Sequence, residues 1–340
     1  MQITFIHDDE DFQSMAELWN DLLLRSTTNV PFLRHEYLSA WWSTLGGGEW
    51  EAGYLWIGIG RNDQGTVIGI APFFLADLPD GRRVVRFLGT LEISDYLDLI
   101  VPRESCSAFV DALFEALEGE GPERWGVLDL YNIPEASPTQ SALEKAARKQ
   151  GWKFVRERLQ PCPVIGLDRS WDDYLSGLDK KQRHELRRKI RRVERHSPEI
   201  RWRVVGTGDD IETETEKFLA LMATDPHKEG FLTDAMRKQF HRSAKAAHEW
   251  GWLHLSFLEM GNDLVAGYFN FDYLDRLWIY NSGMNPDYLH LSPGWVLLGY
   301  LIKWAAESGK EAIDFMRGDE SYKYRLGGVD TSIFRFVIER

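Results

Sequence analysis

The sequence predicts a mixed α+β protein made of two similar halves. Segments with alternating apolar residues, which is the pattern of strands, are interspersed with segments whose apolar residues recur at helical spacing. Short segments of the first half also recur in the same order in the second half: 67–74 with 264–271, 94–99 with 286–291, and 127–130 with 312–315. A repeated order of elements indicates an internal duplication. We therefore predict two tandem α+β domains with mixed sheets.

The spacing between the matching segments decreases along the chain. It is 198 residues, then 192 and then 185, measured from Gly69 to Gly267, from Asp95 to Asp287 and from Asp129 to Asp314. Two copies whose loops differ in length produce such a drift. The sequence Gln-Pro-Cys-Pro at 160–163 interrupts the pattern of elements. We therefore predict domains at residues 1–162 and 163–340.

Composition narrows the function classes. The 340 residues are 44% hydrophobic and 13% aromatic, which favours large buried cores over disorder. The net charge of −13 argues against general binding of nucleic acid or anionic membranes. Cys106 and Cys162 lie far apart, so we expect neither a disulfide framework nor a metal site. The N-terminal residues lack the basic and apolar regions of a signal peptide, and no apolar run is long enough to span a bilayer. We therefore expect a cytoplasmic protein.

The first half reads as an α+β domain. Alternation and turn residues predict strands at 3–6, 54–60, 67–76, 84–91, 96–101 and 126–131. Apolar stripes and capping residues predict helices at 9–24, 31–42, 105–117 and 141–150.

The second half repeats this mixture. Strands are predicted at 201–205, 253–259, 264–272, 276–284, 312–318 and 330–338. Helices are predicted at 210–223, 233–250 and from the Ser-Pro-Gly corner to 309, together with a strongly basic amphipathic helix that contains residues 180–195.

A corner between a predicted strand and a helix is the first candidate site. Free N–H groups and the positive end of the helix dipole make such a corner an anion site. Pro293 suits the first helical turn, and Gly294 allows a ligand to approach the backbone. An ordinary helix start capped by Ser292 is the alternative. The candidate donor-binding residues are His290, Leu291, Ser292, Pro293, Gly294 and Trp295.

The corresponding corner of the first half has Arg103-Glu104-Ser105, with no glycine and with a carboxylate where an anion would lie. We therefore expect the second half to bind the donor and the first to carry a degenerate site.

The basic helix is either a solvated face with local ion pairs or a guide for an anionic ligand through residues such as Arg187 and Arg188.

The second half contains two strands, the sequence Leu-Ser-Pro-Gly, a helix, and then IDFMRGDESYKYRLGG at 313–328. This order resembles the GNAT-superfamily acyltransferases of the CelD-like cellulose-biosynthesis type, which are related to the FemABX aminoacyl transferases. The resemblance implies that the corner holds the pyrophosphate of coenzyme A, and that the segment containing Arg317, Gly318 and Lys323 lines the acceptor side. In a FemABX-like arrangement the last strand returns to the sheet of the first domain. The usual Gly-rich phosphate loop is replaced here by residues 290–294.

Acyl transfer from a thioester to an amine needs a neutral amine, a donor that polarises the carbonyl and a proton for the leaving thiolate. Asp314, Asp319, Glu320 and His290 are candidate bases, although Asp314 could equally be a structural carboxylate. Tyr280, Tyr322 and Lys323 are candidate acids or orienting donors. Asn270 and Asp272 alternate with apolar residues and are candidates for substrate contact.

The leading hypothesis is an N-acyltransferase that uses acetyl-CoA or another acyl-CoA as co-substrate, with no permanently bound cofactor. Its acceptor would be the amine of an amino sugar or of an amino-acid-like molecule, and the resemblance points to cell-envelope or polysaccharide metabolism. One alternative is a FemABX-like transferase that uses aminoacyl-tRNA, and an acyl carrier protein is a further possible donor. Another alternative is a non-catalytic member of the fold that binds a nucleotide sugar or a partner from a polysaccharide pathway.

Overall fold

The computed structural model describes residues 1–77, 81–121, 123–167, 170–196 and 199–340. Its contacts divide the chain into two compact units. Unit 1 contains Met1–Gln160 and Ser332–Arg340, and unit 2 contains Pro161–Thr331. The sequence-based boundary at residue 162 differs from this division by two residues, and the last nine residues belong to unit 1. Both units are mixed α+β, which confirms the predicted fold class.

The strands that begin in the first half, in chain order, are β1 (Gln2–Ile6), β2 (Tyr54–Leu55), β3 (Ile57–Arg61), β4 (Val67–Ala71), β5 (Phe73–Asp77), β6 (Arg83–Phe87), β7 (Val127–Pro134) and β8 (Lys153–Gly166). The helices of unit 1 are α1 (Asp9–Ser14), α2 (Ala16–Leu23), α3 (His35–Trp42), α4 (Leu45–Gly48), α5 (Cys106–Gly119) and α6 (Thr139–Gln150). Short 3₁₀ turns lie at Pro31–Leu33 and Arg103–Ser105.

The later strands are β9 (Ile200–Val204), β10 (Leu253–Met260), β11 (Asp263–Tyr273), β12 (Arg276–Met284), β13 (Ala312–Asp314) and β14 (Val329–Glu339). The helices of unit 2 are α7 (Trp171–Gly177), α8 (Lys180–His196), α9 (Ile211–Met222), α10 (Pro226–Phe231), α11 (Asp234–Glu249), α12 (Pro293–Glu307) and α13 (Ser321–Arg325). A 3₁₀ helix at Pro286–Leu291 precedes α12.

The two units share one supersecondary pattern. In unit 1, β5 pairs antiparallel with β6, and β6 pairs parallel with β7 after a crossover that contains α5. In unit 2, β11 pairs antiparallel with β12, and β12 pairs parallel with β13 after a crossover that contains α12. This common pattern supports the predicted duplication.

Each unit contains further strands around this pattern. Unit 1 has a second small sheet in the order β1-β3-β4, and β14 pairs antiparallel with β7. In unit 2 the end of β8 pairs antiparallel with β13, and the order continues β12-β11-β10-β9. Helix α12 packs on this sheet with buried residues along most of its length, so it forms the centre of the unit 2 core.

Several sequence-based elements are divided in the structure. The predicted helix at 9–24 is two helices that meet at Met15. The predicted strand at 67–76 is interrupted by Pro72, which has no N–H for a strand ladder, and its two parts lie in different sheets. The apolar segment 96–101 is not a strand: it meets the sheets through an isolated bridge between Ile70 and Ile100 and through the N–H of Leu97, which donates to Asn132 O at 3.0 Å.

Other elements were missed or extended too far. Strand β8 runs through Pro161 and Pro163, where the sequence indicated only an interruption. Helices α7 and α10 were not predicted. Tyr174 and Leu178, which the sequence assigned to the apolar stripe of the basic helix, lie outside α8: Tyr174 is in α7, and Leu178 ends α7 in an extended conformation. The predicted strand at 312–318 ends at Asp314.

Candidate functional site

An opening in the sheet of unit 2 lies between β12 and β13. The parallel pairing joins only Arg276, Leu277 and Trp278 of β12 to β13. Strand β12 then continues to Met284, paired on its other edge with β11. Within the described residues, no strand pairs with residues 279–284 on the side of β13. A strand that has no neighbouring strand on one side can receive an extended ligand as an added strand.

The chain leaves the sheet at Asp314 through a turn that two predicted site residues hold in place. Asp314 is fully buried, its Oδ1 accepts the N–H of Met316 at 2.8 Å, and its Oδ2 lies 2.9 Å from Arg276 Nη1. Met316 and Gly318 have left-handed φ values of 59° and 115°. Asp314 therefore makes the contacts of a structural carboxylate, which was one of its two predicted roles.

Lys323 holds the same turn from the other side. Only 2% of this residue is exposed. Its Nζ donates to the carbonyl oxygens of Met316, Arg317 and Gly318 at 3.2, 2.8 and 3.2 Å, and lies 2.8 Å from Glu320 Oε2. An ammonium group has three N–H donors, and these contacts engage them. In this geometry Lys323 is an anchor of the turn, and its predicted role as an acid stays a prediction.

Two tyrosines lie near the opening. Burial raises the pKa of Tyr322, and the nearby Glu320 carboxylate adds to this effect. Burial likewise raises the pKa of Tyr268 well above its ordinary value. The Tyr268 hydroxyl lies 3.5 Å from the carbonyl oxygen of Gly294, which it reaches as a donor. Both phenols are therefore neutral hydrogen-bond donors at physiological pH.

Tyr280 occupies a bulge in β12. Phe269 pairs with Asn281, whereas the next residue, Asn270, pairs with Ile279, so that Tyr280 is the extra residue. Its ring packs against Phe240, Phe269 and Phe271 at centroid distances of 6.0, 5.8 and 5.2 Å. Bulges of this kind change the direction of a strand, and this one coincides with the point where β12 separates from β13.

The remaining predicted substrate residues lie in different places. Asn270 is fully buried, and neither its Oδ1 nor its Nδ2 has a hydrogen-bond partner among the described residues. Asp272 lies at the end of β11 remote from the corner, where its Oδ1 is 2.5 Å from Lys310 Nζ. The structure therefore does not bring Asp272 to the opening. Arg317 and Gly318 form part of the turn, and the N–H of Gly318 donates to Pro161 O at 2.9 Å.

The corner at 290–295 offers fewer anion donors than the sequence suggested. Ser292 has a left-handed φ of 56° and makes no side-chain capping bond. Its carbonyl oxygen accepts the N–H groups of Trp295 and Val296 at 3.1 and 3.3 Å. Since Pro293 has no N–H, the donor that remains in the first turn is the N–H of Gly294.

The side chains of the corner are mostly structural. Leu291 and Pro293 are buried. A Cβ on Gly294 would lie 2.5 Å from Met284 Cε, so the glycine makes room for this methionine. His290 is exposed, and its Nδ1 lies 3.1 Å from Asp287 O. The ring of His290 lies 6.0 Å from that of His196 at the end of α8.

Helix α8 packs directly on α12 and supplies positive charge beside the corner. A Cβ on Gly299 would lie 3.0 Å from Leu186 Cδ1 and 3.1 Å from Ile190 Cδ1, so the two helices are in close contact. Lys189 Nζ lies 4.4 Å from the centre of the Trp295 ring, which is a cation–π distance.

The exposed face of α8 forms a groove of about 630 Å³ that is lined by Arg188, Arg191, Arg192, Arg195 and His196. Arg188 was a predicted ligand of an anion and lies in this groove. Arg187 is outside it, with Nη2 3.9 Å from Asp172 Oδ1. His196 in the lining brings the groove to within 6.0 Å, ring to ring, of His290, so this basic surface lies close to the predicted donor site.

Lys228 on α10 is a candidate site residue that was not predicted from the sequence. Its Nζ donates to the carbonyl oxygen of Ser282 at 2.6 Å and to Asn281 Oδ1 at 3.1 Å, and both acceptors lie on the part of β12 beyond the parallel pairing. Burial lowers the pKa of Lys228, although Asp225 and Glu320 act in the opposite direction. A single lysine between two predicted helices carried no recognisable signal, because only the packing of α10 brings it to β12.

Residues 180–324 match the family model described as an acetyltransferase (GNAT) domain. The whole chain is similar in structure to FemX, with a TM-score of 0.70, 12% identity, and coverage of 98% of this chain and 97% of FemX. It is also similar to a tandem GNAT protein from the clavulanic acid biosynthesis pathway, with a TM-score of 0.53, 13% identity and coverage of 98% of each chain. The chain has a tandem GNAT-like fold.

The chain is also similar in structure to L-PGS from Bacillus licheniformis, with a TM-score of 0.57, 14% identity, and coverage of 98% of this chain and 91% of that protein. None of the curated proteins matches the sequence. The similarity to GNAT and FemX proteins agrees with the predicted fold, while the narrower CelD-like assignment stays a prediction. Among the described residues, no helix combines the length and the apolar character needed to cross a bilayer.

Proposed function

We propose that this tandem GNAT-like protein transfers an acyl group to an amine at the opening between β12 and β13. The observation that carries the proposal is the separation of the two parallel strands after three paired residues. It leaves residues 279–284 of β12 outside the pairing with β13, close to Lys228 and to the turn that Asp314 and Lys323 hold. An extended donor arm with amide groups is suited to hydrogen bonding along such an edge.

The reaction joins the acceptor nitrogen to the donor carbonyl carbon and breaks the bond from that carbon to the leaving sulfur or oxygen. A base takes the proton of the attacking amine, and the leaving group takes up a proton. Lys228 is suited to proton transfer because its lowered pKa makes the neutral amine more accessible than in an exposed lysine. Tyr322, a neutral phenol, is suited to donate a hydrogen bond to the developing oxyanion. Asp314 and Lys323 are positioning residues in this scheme.

The leading donor is an acyl-CoA, with its phosphates beside the N–H of Gly294 and the basic groove of α8. The acceptor class is the amine of an amino sugar or of an amino-acid-like molecule, as in cell-envelope and polysaccharide metabolism. A second candidate donor is aminoacyl-tRNA. It is favoured by the charge of the groove, which contains four arginines and a histidine in a volume of about 630 Å³, more than a single pyrophosphate needs.

The melting temperature of the full chain with acetyl-CoA, longer acyl-CoAs and free coenzyme A tests the donor. A ligand that binds only the folded protein adds about 2.7 kcal/mol at roughly a hundred times its dissociation constant, which is readily seen as a higher melting temperature. Gly294→Glu places a carboxylate at the corner and is expected to abolish the shift. Gly119→Glu, at the end of α5 where a Cβ meets nothing within 4 Å, is the control for the added carboxylate and is expected to retain it. No shift with any coenzyme A species would exclude an acyl-CoA donor.

The same measurement with aminoacyl-tRNA and with deacylated tRNA tests the second candidate. Stabilisation by aminoacyl-tRNA alone, with no effect of coenzyme A species, would support the FemABX-like alternative. Stabilisation by neither class, together with the absence of acyl transfer to amines, would overturn the proposed function.

A further inference from the structure

Unit 2 contains a second cavity, away from the opening between β12 and β13. It has a volume of about 350 Å³ and lies against β9 and the C-terminal half of α12. Strands β10 and β11 separate β9 from β12 in the sheet. Its walls include three aromatic and three charged side chains: Trp202, Tyr300, Trp304, Glu194, Lys303 and Glu307. None of these residues has a role in the proposed acyl transfer.

The aromatic side chains form a connected series of rings. The rings of Trp202 and Tyr300 are 6.3 Å apart. His254, buried beneath them, lies 6.5 Å from Trp202 and 4.3 Å from Trp304. Aromatic walls provide negative ring faces, which attract organic cations, and tryptophan is the most effective of the aromatic residues.

The charges in the pocket also favour a cation. Among the lining residues, the carboxylates of Glu194 and Glu307 outnumber the single ammonium of Lys303. Lys310 Nζ also lies 5.9 Å from the centre of the Trp304 ring, and its charge is paired with Asp272 Oδ1 at 2.5 Å. His254 does not add a positive charge at neutral pH, because burial lowers its pKa to about 4. Neither ring nitrogen of His254 has a hydrogen-bond partner among the described residues, and the same is true of Trp202 Nε1.

The carboxylates already have partners, which restricts the kind of cation. The Tyr300 hydroxyl donates to Glu194 Oε1 at 3.3 Å, and Lys303 Nζ lies 3.7 Å from Glu307 Oε1. A primary ammonium has three N–H donors that need acceptors when it leaves water, whereas a quaternary ammonium has none. The pocket therefore suits a cation that binds through aromatic faces and long-range charge, without hydrogen bonds of its own.

We propose that the pocket formed by Trp202, Tyr300, Trp304, Glu194 and Glu307 binds a quaternary, methylated ammonium group. The ligand class is that of choline and its derivatives, and the binding does not depend on the identity of the acyl donor. The site lies on the face of unit 2 that carries α8 and α12, so a molecule with such a head group would be held by this face of the protein.

Titration of the full-length protein with choline, followed by calorimetry and tryptophan fluorescence, tests the proposal. We expect saturable binding of choline, and binding at least about tenfold weaker for 3,3-dimethylbutanol, a neutral molecule of nearly the same shape. Ethanolamine, which has a primary ammonium, is expected to bind more weakly than choline. Equal binding of choline and 3,3-dimethylbutanol would show an apolar depression without cation selectivity, and tighter binding of ethanolamine would overturn the assignment to a methylated cation.

Two variants and a matched control locate the site. Trp202→Leu is expected to weaken choline binding by at least about tenfold and Glu307→Gln by about threefold, with melting temperatures measured to confirm folding. Glu249→Gln is the control, because Glu249 makes the same type of exposed helical pair, 3.8 Å from Lys245, outside the pocket. Choline binding that is unchanged in folded Trp202→Leu and Glu307→Gln proteins would overturn the proposed site, and so would the absence of choline binding to the unaltered protein.

Discussion

Asp314 Oδ1 accepts the N–H of Met316 at 2.8 Å, so the carboxylate that ends β13 also fixes the left-handed turn at which the chain leaves the sheet. Its other oxygen faces Arg276 on the neighbouring strand. Asp129 in unit 1 makes comparable contacts, 2.8 Å from Arg86 and 2.7 Å from Arg335. A buried carboxylate at the end of the parallel strand pair, bound to arginine, is therefore common to both units.

Replacement of Asp314 distinguishes a structural carboxylate from a catalytic base. In Asp314→Asn the amide oxygen can still accept the N–H of Met316, and Arg276, which is 39% exposed, can turn towards water. We expect a loss of about 1–2 kcal/mol in the free energy of unfolding and a kcat within about tenfold of the unaltered enzyme. Denaturant unfolding and steady-state kinetics measure the two effects. Asp129→Asn is the control in unit 1, and a selective loss of more than about a hundredfold in kcat for Asp314→Asn would identify a general base.

Lys323→Met is expected to lower stability because it leaves buried carbonyl oxygens of the turn without a donor. Removing a charged partner from such groups costs about 2–4 kcal/mol, whereas Lys149→Met, which removes an exposed pair with Glu115, is expected to cost less than about 1 kcal/mol. Thermal and denaturant unfolding measure the difference. An unchanged melting temperature with complete loss of kcat would assign Lys323 to proton transfer instead.

Lys228→Met tests whether this amine takes part in proton transfer. Because burial lowers the pKa of Lys228, its neutral form is populated at lower pH than in an exposed lysine, and the rate is expected to rise with pH as Lys228 loses its proton. The variant is expected to lose about a hundredfold in kcat and to lose this rise in the pH–rate profile. Lys245→Met, in an exposed helical pair on α11, is the control. A profile that keeps its shape in Lys228→Met would exclude the role.

Charge reversal on α8 tests the basic groove. Arg192→Glu and Arg195→Glu, both in the groove, are expected to weaken binding of the phosphate-bearing donor by about fivefold or more each, and to reduce the dependence of affinity on salt. Arg187→Glu, on the same helix but outside the groove, is expected to have a smaller effect. Binding isotherms at several salt concentrations provide both quantities. Equal losses in all three variants would indicate a general effect of net charge.

His254 is expected to make the protein sensitive to acid. Its pKa is about 4 in the folded protein, against an ordinary value near 6.5, so the unfolded chain binds the proton more readily between these values. The free energy of unfolding therefore has its full value above about pH 6.5, and it falls by about 3 kcal/mol as the pH approaches 4. His254→Phe is expected to flatten this part of the pH–stability curve. His184→Phe, an exposed position on α8, is the control, and equal curves for His254→Phe and the unaltered protein would contradict the assignment.

Much of the fold of unit 2 follows from local sequence. The alternation in residues 264–284 predicts β11 and β12 with only small differences at their ends, and the apolar stripe after Pro293 predicts α12. The repeated order of segments in the two halves predicts the tandem architecture. These features were predictable because side-chain periodicity reflects burial on one face of an element.

The site was predicted less completely. Asp314, Lys323, Gly294 and Arg188 were recognised as important, but Gly294 accommodates Met284, and Lys323 binds three carbonyl groups. Lys228 was not predicted. Asp272 was a candidate for substrate contact in the cleft, but the register of β11 places it beside Lys310 instead of at the opening. Residue type indicated which side chains were unusual and did not indicate what they touch.

By itself, the sequence determined the α+β class, the duplication, the basic face of α8 and the position of α12, because each depends on the spacing of residues that are close along the chain. Only the tertiary structure decided where β13 stops pairing with β12, which lysine reaches Ser282 beyond that point, and which rings surround the cavity beside β9. These contacts join residues far apart in the sequence. They depend on the packing of whole helices and strands, and local periodicity carries no information about such packing.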